Sequence, residues 1–195
     1  QPAIVRDSAN VESDYTVLGR NLKRAYFVAS GWNSERVYYS KGVFRHSEDV
    51  MDSYDVSAAV HCYEGVFSKD INNTDFIYFS NDSYNCRFMY DSKNCHDCFG
   101  CVNVRNKSYC FFNEQLTKEE YEKRIAAIDL GKRSELEKIK KRFWELVKSQ
   151  PVRAIRNENA VNSVGSFIVE SRNCYEAYAA ERCENIRFAD ETVGN

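Results

Sequence analysis

Proline and glycine are scarce, at two and eight in 195 residues. Corners built on those two residues are therefore excluded over most of the chain, and asparagine is the obvious substitute. It tolerates left-handed geometry, and its side chain bonds nearby backbone. No apolar run of about 18 residues occurs, so no transmembrane helix and no membrane partner is expected. No signal peptide is visible either. Histidine is limited to His46, His61 and His96, with no His-x-x-x-His or His-Glu-x-x-His pair, which argues against histidine-based catalysis. A Gly-rich phosphate loop, a Gly-x-Ser-x-Gly elbow and a dinucleotide fingerprint are also missing. The net charge of −2 gives no general nucleic-acid surface. The chain begins at Gln1 rather than Met, so a processed or truncated product is expected.

What is present is a repeat: Asn, three variable residues, a small or apolar residue, then an aromatic. It starts at Asn21, Asn33, Asn73, Asn85, Asn94, Asn106 and Asn173, and Asn185 keeps most of it. The 43% hydrophobic and 14% aromatic content suffices for a core. A short repeat means identical units stacked in a line, so the fold class is mainly β, a parallel β-helix or solenoid. Repeat asparagines are 12 apart at 21/33, 73/85, 94/106 and 173/185, and 9 apart at 85/94. The sum predicts a coil of about 21 residues holding two motifs. One motif per coil of about 12 residues is the competing arrangement. Between residues 40 and 70 the motif degrades into rungs without Asn, with looser corners expected. Residues 13–38 align on 165–190 without gaps, so the chain leaves the solenoid and resumes it.

The interruption reads as helical. Thr117-Lys-Glu-Glu120 and Ser134-Glu-Leu-Glu137 are capping boxes, with apolar stripes at Tyr121, Ile125, Ile128 and at Leu136, Ile139, Phe143, Leu146. A hairpin packed on an open solenoid edge is expected. The predicted organisation is solenoid over 1–115, helical hairpin insertion over 116–151, and resumed rungs over 152–195.

Eight cysteines are the chemical suspects. Cys95, Cys98 and Cys101 lie three apart with His96 between them and Cys110 beyond, a spacing that can suit zinc or iron. The repeat offers another account, in which cysteine replaces aliphatic residues in a buried column. With a 21-residue coil, Cys98 would stack on Ile77 and Cys110 on Met89, while Cys86, Cys95 and Cys174 would share a second column. The aromatics at the sixth motif position are expected to fill the coil as an internal stack. The acids along the coils (Asp49, Asp75, Asp82, Asp91 and Asp97 among them) share no column and read as solvated. The run Lys138, Lys140, Lys141, Arg142 lies in a segment, 117–150, where 10 basic residues outnumber 7 acidic ones, giving +3. A partner, protein or RNA, could dock there.

Residues 92–113, with Cys95-His-Asp-Cys-Phe-Gly-Cys-Val-Asn-Val-Arg-Asn-Lys107 at their centre, followed by Thr117–Lys123, resemble a family of Asn-Cys-rich repeat proteins. These are encoded largely by candidate-phyla-radiation bacteria and related metagenomic sequences, and their function is unassigned. Ser171-Arg-Asn-Cys174 resembles the point where the family's repeats resume. The resemblance covers most of residues 70–190. It implies the repeat architecture and a cytoplasmic location, and it transfers no catalytic residue. Together these features predict a non-enzymatic scaffold that self-associates by solenoid stacking, with no cofactor. The alternatives are a cysteine-based zinc or iron module and a carbohydrate-active β-helix enzyme.

Overall fold

A computed structural model describes residues 7–44, 47–51, 54–57, 60–63, 72–153, 161–166 and 175–178. The chain divides into two compact units, Gln1–Gln150 and Pro151–Asn195. The first unit is a parallel β-solenoid with two helices. Its strands are β1 (Gly19–Lys23), β2 (Gly31–Tyr38), β3 (Lys41–Phe44), β4 (Glu48–Met51), β5 (Tyr54–Ser57), β6 (Val60–Tyr63), β7 (Asn72–Tyr78), β8 (Arg87–Tyr90), β9 (Phe99–Val102), β10 (Cys110–Phe111) and β11 (Glu114–Gln115). The helices α1 (Lys118–Ala126) and α2 (Arg133–Ser149) follow. The second unit contributes a parallel pair, β12 (Val164–Ser166) and β13 (Tyr175–Tyr178).

The register decides the coil length. Gly19 pairs with Gly31, Cys62 with Thr74, Ile77 with Met89 and Met89 with Cys101. Each step is twelve residues, so one coil holds twelve residues and not 21. The step is thirteen where β2 meets β4, as at Val37 and Val50, and where β3 meets β5. One extra residue has therefore entered between Val43 and Glu48, at the start of the degraded stretch.

A three-residue rhythm lies inside the coil. Ser13, Thr16, Gly19, Leu22, Ala25, Val28, Gly31, Ser34, Val37, Ser40 and Val43 are buried, and the residues between them are not. The residue before most buried ones has a positive φ: Glu12, Tyr15, Leu18, Asn21, Arg24, Phe27, Asn33, Arg36 and Tyr39. Each coil is thus four short sides, and each side is an inward residue, an outward residue and a left-handed corner. Left-handed backbone costs roughly 1 kcal/mol for a residue with a Cβ. The ladder offsets it, because Arg24 N–H donates to Val11 O (3.0 Å) and Tyr39 N–H to Tyr26 O (2.9 Å). Asn162 in the second unit has the same geometry, with φ 49°.

Four inward side chains must share one narrow interior, which sets their sizes. In the coil from Leu22, that residue is joined by Ala25, Val28 and Gly31. A Cβ on Gly19 would come 2.7 Å from Leu22 Cδ1. Bulky rings have no room there. The motif aromatics consequently lie outside the coil, which corrects the expected internal stack. Of the sixth-position aromatics, Tyr78 and Tyr90 lie 6.5 Å apart and Phe99 and Phe111 stack at 5.6 Å, and beside them the fourth-position rings Phe76 and Phe88 stack at 4.5 Å, all as outward ladders.

The helices cover those ladders. In α1 the capping box is present, with Glu120 N–H donating to Thr117 Oγ1 (3.3 Å) and Thr117 N–H to Glu120 Oε2 (3.1 Å). The second box is not, because α2 starts at Arg133 with Lys132 as N-cap and no side-chain cap bond, leaving Ser134 inside the first turn. Phe143 of α2 meets Phe88 at 5.8 Å, Trp144 meets Tyr78 at 5.2 Å, and Tyr121 of α1 meets Tyr109 at 5.9 Å. Phe76, Phe88, Phe99, Val102, Phe111, Tyr121, Phe143 and Val147 form one buried cluster between helices and solenoid. Antiparallel β11 closes the last coil against β10. Asn173, Asn185, Cys174, His46 and most of 165–190 lie outside the described residues.

Candidate functional site

The cysteines sit where the three-residue rhythm puts them. Cys86, Cys95, Cys98, Cys101 and Cys110 are unpaired thiols, buried inside the coil with Ile77 and Met89. Cys98 stacks between Cys86 and Cys110, and Cys101 stacks on Met89, twelve residues away in each case. Cys95 belongs to the column of Ser83. This replaces the stacking of Cys98 on Ile77 and of Cys110 on Met89, and separates Cys86 from Cys95.

Four of these five thiols donate back to the carbonyl two residues earlier, around their own corner, while Cys110 donates to Gln115 Oε1 at 3.5 Å. Cys86 Sγ reaches Tyr84 O at 3.2 Å, Cys95 reaches Lys93 O at 3.3 Å, Cys98 reaches His96 O at 3.3 Å and Cys101 reaches Phe99 O at 3.4 Å. Serines at inward positions do the same: Ser34 to Trp32 O, Ser40 to Tyr38 O, Ser80 to Tyr78 O and Ser92 to Tyr90 O, at 2.8 to 3.1 Å. In the second unit Ser163 donates to Val161 O at 2.9 Å. Cysteine and serine are therefore two sizes of one corner-closing part. Each serine bond contributes about 1 kcal/mol net, and each thiol bond less, because S–H is a weak donor. The thiols also span the interior, as in Cys101 Sγ to Cys110 O at 3.4 Å, nine residues or three sides on.

Thiol–thiol contacts gather on Cys98. The neighbouring thiols of Cys101, Cys86 and Cys95 draw the Cys98 thiol downward. Cys86 and Cys95 are pushed up by the Cys98 thiol and then by burial. Cys101 is pushed up by the thiols of Cys110 and Cys98 and by burial. Among the described residues no group of three His, Cys, Asp or Glu side chains has metal-binding geometry. His96 in particular is on the other side of the wall. Its ring stacks on Tyr84 at 5.1 Å, and its Nδ1 lies 3.1 Å from Asp97 Oδ2. His96 is the outward residue between inward Cys95 and Cys98, so it does not join the thiols.

The repeat asparagines occupy left-handed corners, but two different ones. Asn21 donates to Asn33 (2.8 Å) and Asn94 to Asn106 (3.0 Å) along one corner. Asn73 donates to Asn85 (2.8 Å), which donates to Asp97 (3.3 Å), along another. The 12-residue spacing is one full coil. The 9-residue spacing is three sides, which carries the motif to a new corner.

The acids are taken up by neighbours rather than converging. Asp91 pairs with Arg105 at 2.6 Å, Asp75 with Arg87 at 3.1 Å, and Asp49 with Arg36. In the basic run, Lys140 Nζ lies 4.7 Å from the Phe76 ring centroid, and Arg142 lies 3.8 Å from that of Phe112. Those two cations lie over the solenoid's rings, while Lys138 and Lys141 are exposed. No described helix is long and apolar enough to cross a membrane. The period of three, the left-handed corners and the carbonyl-bonding thiols were missed by sequence reasoning. Their signal was present: 6, 9, 12 and 21 are all multiples of three.

Neither a protein-family model, nor a curated protein, nor a solved structure matches the chain.

Proposed function

We propose that the chain is a non-enzymatic scaffold that associates with further copies of itself, and that it belongs with the Asn-Cys-rich repeat proteins it resembles. The observation that supports this most is the thiol–carbonyl pattern. The most chemically capable residues are spent on closing corners, in positions that serine fills elsewhere. The paired acids and the Asn ladders support the same reading. Sedimentation velocity over a concentration series tests it. The expected result is a sedimentation coefficient that rises with concentration. A single monomeric species up to about 100 µM would overturn self-association at any useful affinity.

One observation favours a second reading, a soft-metal module. Cys98 lies in one buried cluster with Cys86, Cys95, Cys101 and Cys110. Thiolates suit zinc, iron or copper, and Cys95, Cys98 and Cys101 would supply the ligands, with Cys110 adjacent. Metal analysis of protein purified under reducing conditions separates the two. Less than about a tenth of an equivalent counts against the module.

A further inference from the structure

One corner of the solenoid carries rings in two stretches, separated in sequence by Asp52 and Glu64, and only the second stretch is covered. Counted through the strand register, Tyr15, Phe27 and Tyr39 lie on the same left-handed corner as Phe76, Phe88 and Phe112. Phe76 and Phe88 are 7% and 1% exposed beneath α2, whereas Tyr15, Phe27 and Tyr39 are 61%, 60% and 58% exposed. Tyr26, Val17 and Leu18 extend the patch on the neighbouring columns. Among the described residues no element lies over it.

These rings occupy a costly place. A bulky side chain at positive φ is a genuine outlier, where Asn or Asp sits more readily. The chain uses Asn or Asp at corners elsewhere, at Asn94, Asp97 and Asn106. At Phe76 and Phe88 the burial beneath α2 offsets that cost. At Tyr15, Phe27 and Tyr39 the backbone ladder is supplemented by ring-to-ring contact without burial, such as Phe27 with Tyr39 at 6.2 Å and Tyr26 with Tyr39 at 5.7 Å.

We infer that this patch, centred on Tyr15, Phe27 and Tyr39, is a docking surface for the same patch on a second copy of the chain. The inference rests on the scaffold reading and names its contact surface. Two features select the second copy. Rings repeating once per strand, about 4.8 Å apart, are matched in spacing by another ladder of the same kind. With four rings of about 200 Å² and two aliphatic side chains, each roughly half exposed, the patch offers about 600 Å². Two such patches bury about 1,200 Å², the lower bound of a specific interface.

The test is sedimentation velocity on the full chain and on the Tyr15→Asn/Phe27→Asn/Tyr39→Asn variant, with Tyr84→Asn as the control. Asparagine suits the left-handed corner, so the fold is retained, and circular dichroism checks this. Tyr84 is an exposed ring on a different column. The expected result is a dimer for the full chain and the control, with dissociation at least about tenfold easier in the triple variant. If the triple variant dimerises like the parent, this surface is wrong while the scaffold reading stands. If the parent is monomeric throughout, both fall. Should the triple variant unfold, a benzophenone side chain at position 27 decides instead. Crosslinks to residues 15–39 of another copy support the inference, and crosslinks elsewhere or none overturn it.

Discussion

The ring of Phe112 occupies the space that a side chain at Gly100 would need. A Cβ built on Gly100 falls 2.9 Å from three atoms of that ring, and Gly100 has φ +69°. Gly100 therefore does two jobs at one corner, taking the left-handed backbone and admitting the ring from the next coil.

Gly100→Ala is expected to cost about 1 kcal/mol for the left-handed backbone and a further 1 to 3 kcal/mol, roughly, for displacing the ring. Gly100→Asn relieves only the first part and should remain clearly destabilised. Chemical denaturation of both variants, and of each combined with Phe112→Ala, measures the two parts. If the Phe112→Ala background does not reduce the penalty, the ring is not the obstacle.

Asn85 is the middle rung of its ladder, accepting from Asn73 and donating to Asp97. Asn85→Ala removes both bonds and places a Cβ residue without αL preference at φ 51°. A loss of about 1 to 2 kcal/mol is expected. Asn85→Gly keeps the backbone preference and should lose less. An equal loss in the two variants would mean that the corner conformation contributes nothing measurable.

The buried thiols should resist alkylation in the native state. Cys86, Cys95 and Cys101 are held above the usual thiol range by their thiol neighbours and burial, so little thiolate is available to react. Peptide mapping after iodoacetamide treatment at pH 8 should show them at least about 100-fold slower than in the unfolded chain. Cys98→Ser keeps the bond to His96 O and should fold normally. Cys98→Leu overfills the coil, at roughly 1 to 3 kcal/mol.

Acid should loosen α1 from β11. Arg124 donates to both carboxylate oxygens of Glu114, at 2.6 and 3.1 Å, and holds that carboxyl below its usual range. The folded state thus binds the proton less readily than the unfolded state. The contribution is full above the unfolded glutamate value of about 4.3 and disappears as pH falls through the lower folded value. Amide exchange of α1 in the parent and in Glu114→Gln should differ at pH 7 and converge near about pH 3. A difference independent of pH would sink this account.

The solenoid, its parallel strands, both helix positions and the Thr117 capping box were legible in the sequence. The coil length was not, because Asn73 and Asn85 mark one corner while Asn94 and Asn106 mark another. A change of corner adds nine residues and imitates a longer period. The three-residue rhythm was obscured because inward Ser, Cys, Gly and Val share size rather than hydropathy. The aromatics were misplaced because strong hydrophobicity suggested the interior, whereas four side chains per coil leave no space for a ring. Their burial comes instead from the helices, as Phe143 on Phe88 illustrates.

The three-residue side also gives the chain a grammar for length changes. Twelve inserted residues would lengthen the column and leave every neighbour in place. Three would rotate all later positions by a quarter of the perimeter, carrying the aromatic edge to another face while keeping inward residues inward. A single residue is the damaging case, since it exchanges inward for outward on everything that follows. The chain carries one such insertion between Val43 and Glu48, and its sequence changes phase there to match: the inward series runs 37, 40, 43 before it and 47, 50 after it.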